Sequence, residues 1–157
     1  MELKCDKLPD VGISRITGLL EVVHDNKDAI ETARVAMDLD LEFDELLPVI
    51  EAAELLGFVE LKSGRICLTR QGKELVAGGL AKRRALFKKQ LLSVSFFKNV
   101  RGVLEKKKRV KKRALIKYCR QRLTKKEAEK TIERLIGWGR HAEAFGYDSE
   151  KEELYLL

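Results

Sequence analysis

Seven of the eight residues from Lys106 to Arg113 are basic: Lys106, Lys107, Lys108, Arg109, Lys111, Lys112 and Arg113. Charge at that density suits phosphate, because each cation that neutralises a phosphate releases condensed counterions. Lys126, Lys130 and Arg134 recur at i, i+4, i+8. With Ala128, Ile132 and Leu135 facing inward on a helix, these three project outward in one row. Glu129 and Glu133 flank the row, and the face lacks Asn, Gln or Ser for reading base edges. Binding there would be dominated by phosphates and weakly selective for sequence. The same residues also read as a solvated ionic surface.

Catalytic chemistry finds little support. Gly72-Lys73 is followed by Glu74, and Cys67 stands five residues before Gly72, so the pattern of a phosphate-binding loop fails. Gly137-Trp138-Gly139 falls at the end of a predicted helix instead of before one, where a dinucleotide would need it. His24 and His141 have no neighbouring Cys or carboxylate at metal-ligand spacing, so no metal or other cofactor is expected. Cys5, Cys67 and Cys119 form an odd, widely spaced set without C-x-x-C. This predicts a reducing, cytoplasmic setting, no disulfide framework, and Cys119 as a buried core thiol. The expectation is a protein without enzymatic activity.

The elements that must position these residues are mainly helical. The chain has 157 residues, with 45% apolar and 36% charged, enough for one ordinary domain or two very small ones. No apolar run is long enough to span a membrane, and the start at Met1-Glu2-Leu3-Lys4 lacks a secretory signal's apolar stretch. Residues 1–80 carry nine Lys and Arg against sixteen Asp and Glu, a net of −7. Residues 81–157 carry twenty-three against nine, a net of +14. An acidic unit over 1–80 and a basic unit over 81–157 follow as the expected domains.

In the first half, Ile13, Ile16, Leu19, Leu20 and Val23 predict a helix over 12–24. Asp28 and Glu31 resemble a capping box for a second helix that buries Ile30, Ala33 and Met37. A third runs from Asp44 to Leu56, with Pro48 in or beside its first turn and Gly57 past its end. Residues 58–61 and 65–69 alternate around Lys62-Ser63-Gly64 as a hairpin. A helix over 71–92 follows, with a kink, a break or a close packing contact expected at Gly78-Gly79.

The second half repeats the plan. Helices are expected over 95–106 and 110–122, and Thr124 with Glu127 forms a capping box for a third that buries Ala128, Thr131, Ile132, Leu135 and Ile136. A hairpin closes the chain over 143–147 and 153–157. Leu55-Leu56-Gly57-Phe58 and Leu135-Ile136-Gly137-Trp138 are similar tetrapeptides, which suggests a duplicated unit with Trp138 equivalent to Phe58. The predicted fold is mainly α with small β-hairpins, an α+β arrangement of tandem winged helix-turn-helix units.

In a winged helix the third helix enters the major groove. Its counterpart in the first half faces outward with Asp44, Pro48, Glu51, Ala52 and Leu55, an acidic and apolar surface that repels phosphate and suits protein contact. The other half, or a second subunit in a homodimer, would cover it equally well.

Three stretches resemble a known family: Asp44-Glu45-Leu46-Leu47-Pro48 through Glu54-Leu55-Leu56-Gly57-Phe58; Leu68-Thr69-x-x-Gly72; and Leu135-Ile136-Gly137-Trp138-Gly139-Arg140-x-Ala142-Glu143-x-Phe145-x-Tyr147-Asp148. They are similar to the C-terminal AAA-associated domain, found on ATPase subunits of nitrate-, sulfonate- and bicarbonate-type ABC importers and as free-standing proteins. The resemblance runs from about Val11 to Leu157. It implies an accessory module of a transporter ATPase, with no catalytic residue to carry over and no ATP site of its own. Gly78-Gly79 and the Lys106–Arg113 run depart from the pattern. Two expectations therefore stand: a regulatory module that binds duplex DNA through the basic half, and a protein-interaction module that docks on an ABC ATPase through the acidic half.

Overall fold

The computed structural model describes residues 5–157; residues 1–4, where the start was read, lie outside the described residues. It contains eight helices and two small antiparallel sheets among those residues. Two compact units divide the chain. The first is Val11–Leu86; the second joins residues 5–10 to Phe87–Leu157. The sequence reading draws the border at 80/81 and leaves the N-terminus with the first half. With the structural division the nets become −3 and +10, because residues 82–84 bring three cations to the first unit and Asp6 and Asp10 join the second.

The first unit contains α1 (Ile13–Asp25), β1 (Ala29–Glu31), α2 (Thr32–Asp38), α3 (Phe43–Leu55), β2 (Val59–Lys62), β3 (Arg65–Leu68) and α4 (Arg70–Ala77). The helix α5 (Leu80–Leu91) crosses the border between the units. Ile16, Leu19, Leu20 and Val23 of α1 are buried, as their spacing predicts. The hairpin turns on Ser63 and Gly64, both at positive φ, which gives the twist that two-residue hairpin loops need.

Residues 29–31 correct the reading of the second helix. They form a third strand in the order β1-β3-β2, with Ile30 opposite Ile66. The helix therefore starts at Thr32, and its phase turns Val35 inward and leaves Ala33 exposed and Met37 80% exposed. The glycine pair breaks the predicted 71–92 helix, as expected. Gly78 is extended, and the Arg83 guanidinium closes the gap by donating to the carbonyls of Gly78 and Val76, both at 2.9 Å.

The second unit contains α6 (Ser95–Lys107), β4 (Arg109–Lys111), α7 (Lys112–Cys119), α8 (Lys125–His141), β5 (Gly146–Asp148) and β6 (Glu153–Tyr155). Its sheet has the equivalent order β4-β6-β5. Corresponding backbone bonds recur: Leu68 N–H to Asp28 and Leu156 N–H to Lys108, Thr32 N–H to Gly64 and Lys112 N–H to Glu152. The core gathers Phe96, Phe97, Val100, Leu104, Leu115, Ile132, Leu135 and Trp138, all at most 1% exposed. The rings of Phe97 and Trp138 stack at 6.0 Å.

The duplication is real in element order, but the tetrapeptide match misplaces its register. Gly137 and Trp138 lie inside α8, which runs on to His141. The chain leaves α3 through Leu56-Gly57-Phe58 and leaves α8 through Ala142-Glu143-Ala144, with the same three backbone bonds in each case. The counterpart of Gly57 (φ 77°) is thus Glu143 (φ 55°). Gly137 is exposed, and an added Cβ there would meet nothing. Gly139 is the glycine that packing demands, since a Cβ would collide with the Phe145 ring. Helix α8 is four residues longer than α3, one extra turn.

Candidate interaction surfaces

Helix α3 presents the surface that the first unit leaves uncovered. Its inward residues are Leu46, Val49, Ile50, Ala52 and Ala53. Ala52 is fully buried, so it does not belong to the outward face that the sequence reading gave it. An outward face of Asp44, Pro48, Glu51, Ala52 and Leu55 requires a narrow buried stripe; the observed stripe also takes in Val49 and Ala52, and the outward row turns by about one residue. The exposed row is Phe43, Leu47, Glu51 and Leu55, at i, i+4, i+8 and i+12. Phe43 is 57% exposed, and Leu47 and Leu55 are each 42% exposed. Asp44, Glu45 and Glu54 stand beside them in solvent. Pro48 is half-buried and sits at the sixth helical position, beyond the first turn. Among the described residues the acids of this face meet one cation, Arg15, at 3.9 Å from Glu45.

The basic surfaces of the second unit are dispersed. The run from Lys106 to Arg113 ends α6, passes through a left-handed residue at Lys108 (φ 68°), forms β4 and opens α7. Its cations therefore point along different elements. Lys111 Nζ lies 3.3 Å from a Glu153 carboxylate oxygen and donates to the Lys151 carbonyl at 3.2 Å. Lys112 reaches Glu133 at 3.9 Å. Arg109 stacks over the Tyr155 ring at 5.8 Å, and Lys108 Nζ donates to the Glu105 carbonyl. Lys106, Lys107 and Arg113 are exposed and form no ion pair with the described residues.

The row on α8 is partly covered. Thr124 caps the helix: its Oγ1 accepts from Glu127 N–H at 3.2 Å, and its own N–H donates to Glu127 Oε1 at 3.1 Å. Lys126 stays in solvent without an ion pair to the described residues. Arg134 Nε, however, donates to Asp10 Oδ1 at 2.8 Å, and Lys130 Nζ lies 3.8 Å from the other oxygen. The hydrogen bond from Arg134 leads the causes that hold the Asp10 carboxyl below its usual range.

Asp10 ends a segment that lies along α7 and α8. Leu8 is buried, and its N–H donates to the buried Thr131 Oγ1 at 3.3 Å. Lys7 pairs with Glu127 at 3.0 Å, and Asp6 with Arg122 at 3.9 Å. Lys7, followed by the Thr124 backbone and hydroxyl, lowers the Glu127 carboxyl to about 2. Cys5 is disulfide-bonded to Cys119, which corrects both the expectation of no disulfide and the reading of Cys119, buried as expected, as a core thiol. The bond spans 114 residues of sequence, and the first unit lies entirely within that loop. Spacing arguments pair neighbouring cysteines and miss such a bridge. Cys5 and Leu8 three residues apart, with Asp6 and Asp10 beside them, were the available signal of a segment that packs on a basic helix.

Among the described residues, no cluster of His, Cys, Asp or Glu could hold a metal ion. No helix among the described residues is long and apolar enough to cross a membrane. The architecture is thus that of a two-unit, mainly helical domain whose distinguishing features are surfaces. The profile of the C-terminal AAA-associated domain matches residues 33–148, nearly three quarters of the chain and parts of both units. This protein belongs to that family. No curated protein and no solved structure matches it significantly.

Proposed function

We propose that the chain is a non-enzymatic interaction module that docks on an ABC-transporter ATPase subunit through the exposed face of α3, with each unit built as a winged helix. The observation that carries this is the Phe43–Leu47–Leu55 row in its acidic setting. A row of large apolar side chains held in solvent gains from burial against a partner, and the acids around it select a basic or neutral one. Family membership supports the choice of partner. The element order helix, strand, helix, helix, hairpin supports the winged-helix description in both units.

The test is titration of the purified chain against an ATPase subunit of the nitrate, sulfonate or bicarbonate importer type. The triple variant Phe43→Ser, Leu47→Ser, Leu55→Ser should weaken binding by about tenfold or more, since apolar anchors dominate such interfaces. Its thermal midpoint should stay near that of the parent. Absence of binding, or binding indifferent to the triple variant, would sink the proposal.

Four cations without ion pairs to the described residues, Lys106, Lys107, Arg113 and Lys126, favour a second reading in which the basic unit binds duplex phosphates. It ranks behind the first because the Asp10 carboxylate already engages both Lys130 and Arg134 and offsets one of their two charges. A salt series with duplex DNA decides it, with a log–log slope of about −0.9 per phosphate contacted. No measurable binding in low salt removes this reading.

A further inference from the structure

We propose that the Cys5–Cys119 bond is a thiol–disulfide latch: it holds residues 5–10 over the Lys130–Arg134 part of α8, and reduction opens this cover. The inference is independent of ATPase docking, which uses the other unit.

Residues 5–9 belong to neither helix nor strand. Two kinds of tie hold the segment. The first is the covalent bond at its outer end, where both cysteines are buried. The second is a set of weak contacts: one hydrogen bond from Leu8 N–H, the buried Leu8 side chain, and ion pairs from Asp6, Lys7 and Asp10. Exposed ion pairs contribute little, and segments without ladder hydrogen bonds are the first to open. While the bond is intact, an opened segment remains tethered beside α8 and recloses. Without it, nothing covalent restores the contact.

The chemistry balances with a dithiol reductant. One thiolate attacks a latch sulfur to form a mixed disulfide, and the other protein sulfur leaves as a thiolate. The second thiol of the reductant then displaces the first sulfur and closes a disulfide within the reductant. Two electrons pass to Cys5 and Cys119, and each thiolate takes up a proton. Because the sulfurs are buried, attack follows a transient opening of the segment, and reduction makes that opening persistent.

What opens is an anion site. Lys130 and Arg134 lose Asp10, and Lys126 extends the row to three cations one turn apart. The fit is to a phosphate-rich surface, since the row has no apolar anchor of its own.

The test compares the oxidised full chain with the same chain treated with dithiothreitol, by amide hydrogen exchange and carboxyl NMR. After reduction the Leu8 amide should exchange about tenfold faster relative to the Ile132 amide in α8. The Glu127 carboxyl should move upward from about 2 as Lys7 departs, while Thr124 keeps it below 4.5. Cys5→Ser should reproduce both changes without reductant. Where that variant does not fold, the dithiothreitol comparison decides alone. If Leu8 and Ile132 accelerate by one common factor, the bond is a staple of the whole unit and the latch is refuted. An unchanged Leu8 amide refutes it equally.

Discussion

Helix α3 packs Leu46, Val49, Ile50 and Ala53 inward, and α8 packs Ala128, Thr131, Ile132 and Leu135, each 82 residues later. Their exposed positions share nothing comparable. Where α3 has Asp44, Pro48 and Ala52, α8 has Lys126, Lys130 and Arg134 at the same spacing. Burial constrains the inner stripe, because a large residue there must fill a defined space. The outer stripe is free to take either sign of charge. The comparison also separates two meanings of an outward position: Ala52 is covered, and its counterpart Arg134 is engaged by Asp10. On both helices this third position is less available than helical geometry alone suggests.

The largest effect should come from the extra turn of α8. Trp138, which stands where α3 has Leu56 at its C-cap, is 1% exposed and stacks on Phe97. Trp138→Ala should lower unfolding stability by about 3–5 kcal/mol in a urea titration, as truncation of large core residues does. A loss under about 1 kcal/mol would mean that α8 does not use this turn as packing.

The next sharpens the difference between neighbouring positions on α3. Ala52→Glu should cost about 3 kcal/mol, because it buries a carboxylate without a partner, whereas Glu51→Ala should stay within about 0.5 kcal/mol. Equal effects in chemical denaturation would return Ala52 to the outer face.

A smaller pair breaks the tetrapeptide correspondence. Gly57→Ala should destabilise by about 1 kcal/mol, because its φ of 77° is left-handed. Gly137→Ala should instead stabilise by up to about 1 kcal/mol, since it removes a glycine from an exposed helix interior. Calorimetric shifts of the same sign would restore the two as equivalents.

The least is an acid effect in the second unit. Glu127 has a folded pKa of about 2 against an ordinary 4.5, and Asp10 and Asp148 are also lowered, the last chiefly by the Lys151 backbone N–H. A lowered carboxyl stabilises above its unfolded pKa, and that contribution is lost as pH falls through the folded value. Stability should therefore decline between about pH 4.5 and 2, and Glu127→Gln should flatten part of that slope in thermal melts. A parent and variant with identical pH profiles would show that the Lys7–Glu127 contact carries none of it.

Local pattern determined much about this protein. The helical periods of α1 and α8, the Thr124 cap, the Ser63-Gly64 turn and the helix break at Gly78 depend on residue types a few positions apart, so type and spacing suffice to find them. Tertiary structure decided the rest. Strand β1 exists because β3 offers it an edge, with Ile30 opposite Ile66 36 residues away, and that pairing rotated α2 and exposed Met37. The equivalence of Gly57 with Glu143 depends on how long α8 continues, which the packing of Trp138 and Phe145 settles. The state of Lys130 and Arg134 depends on Asp10, and that of Cys119 on Cys5, partners more than a hundred residues distant. Helical periodicity tells which side of a helix turns away from its own core. It holds no information about what else in the chain comes to lie there.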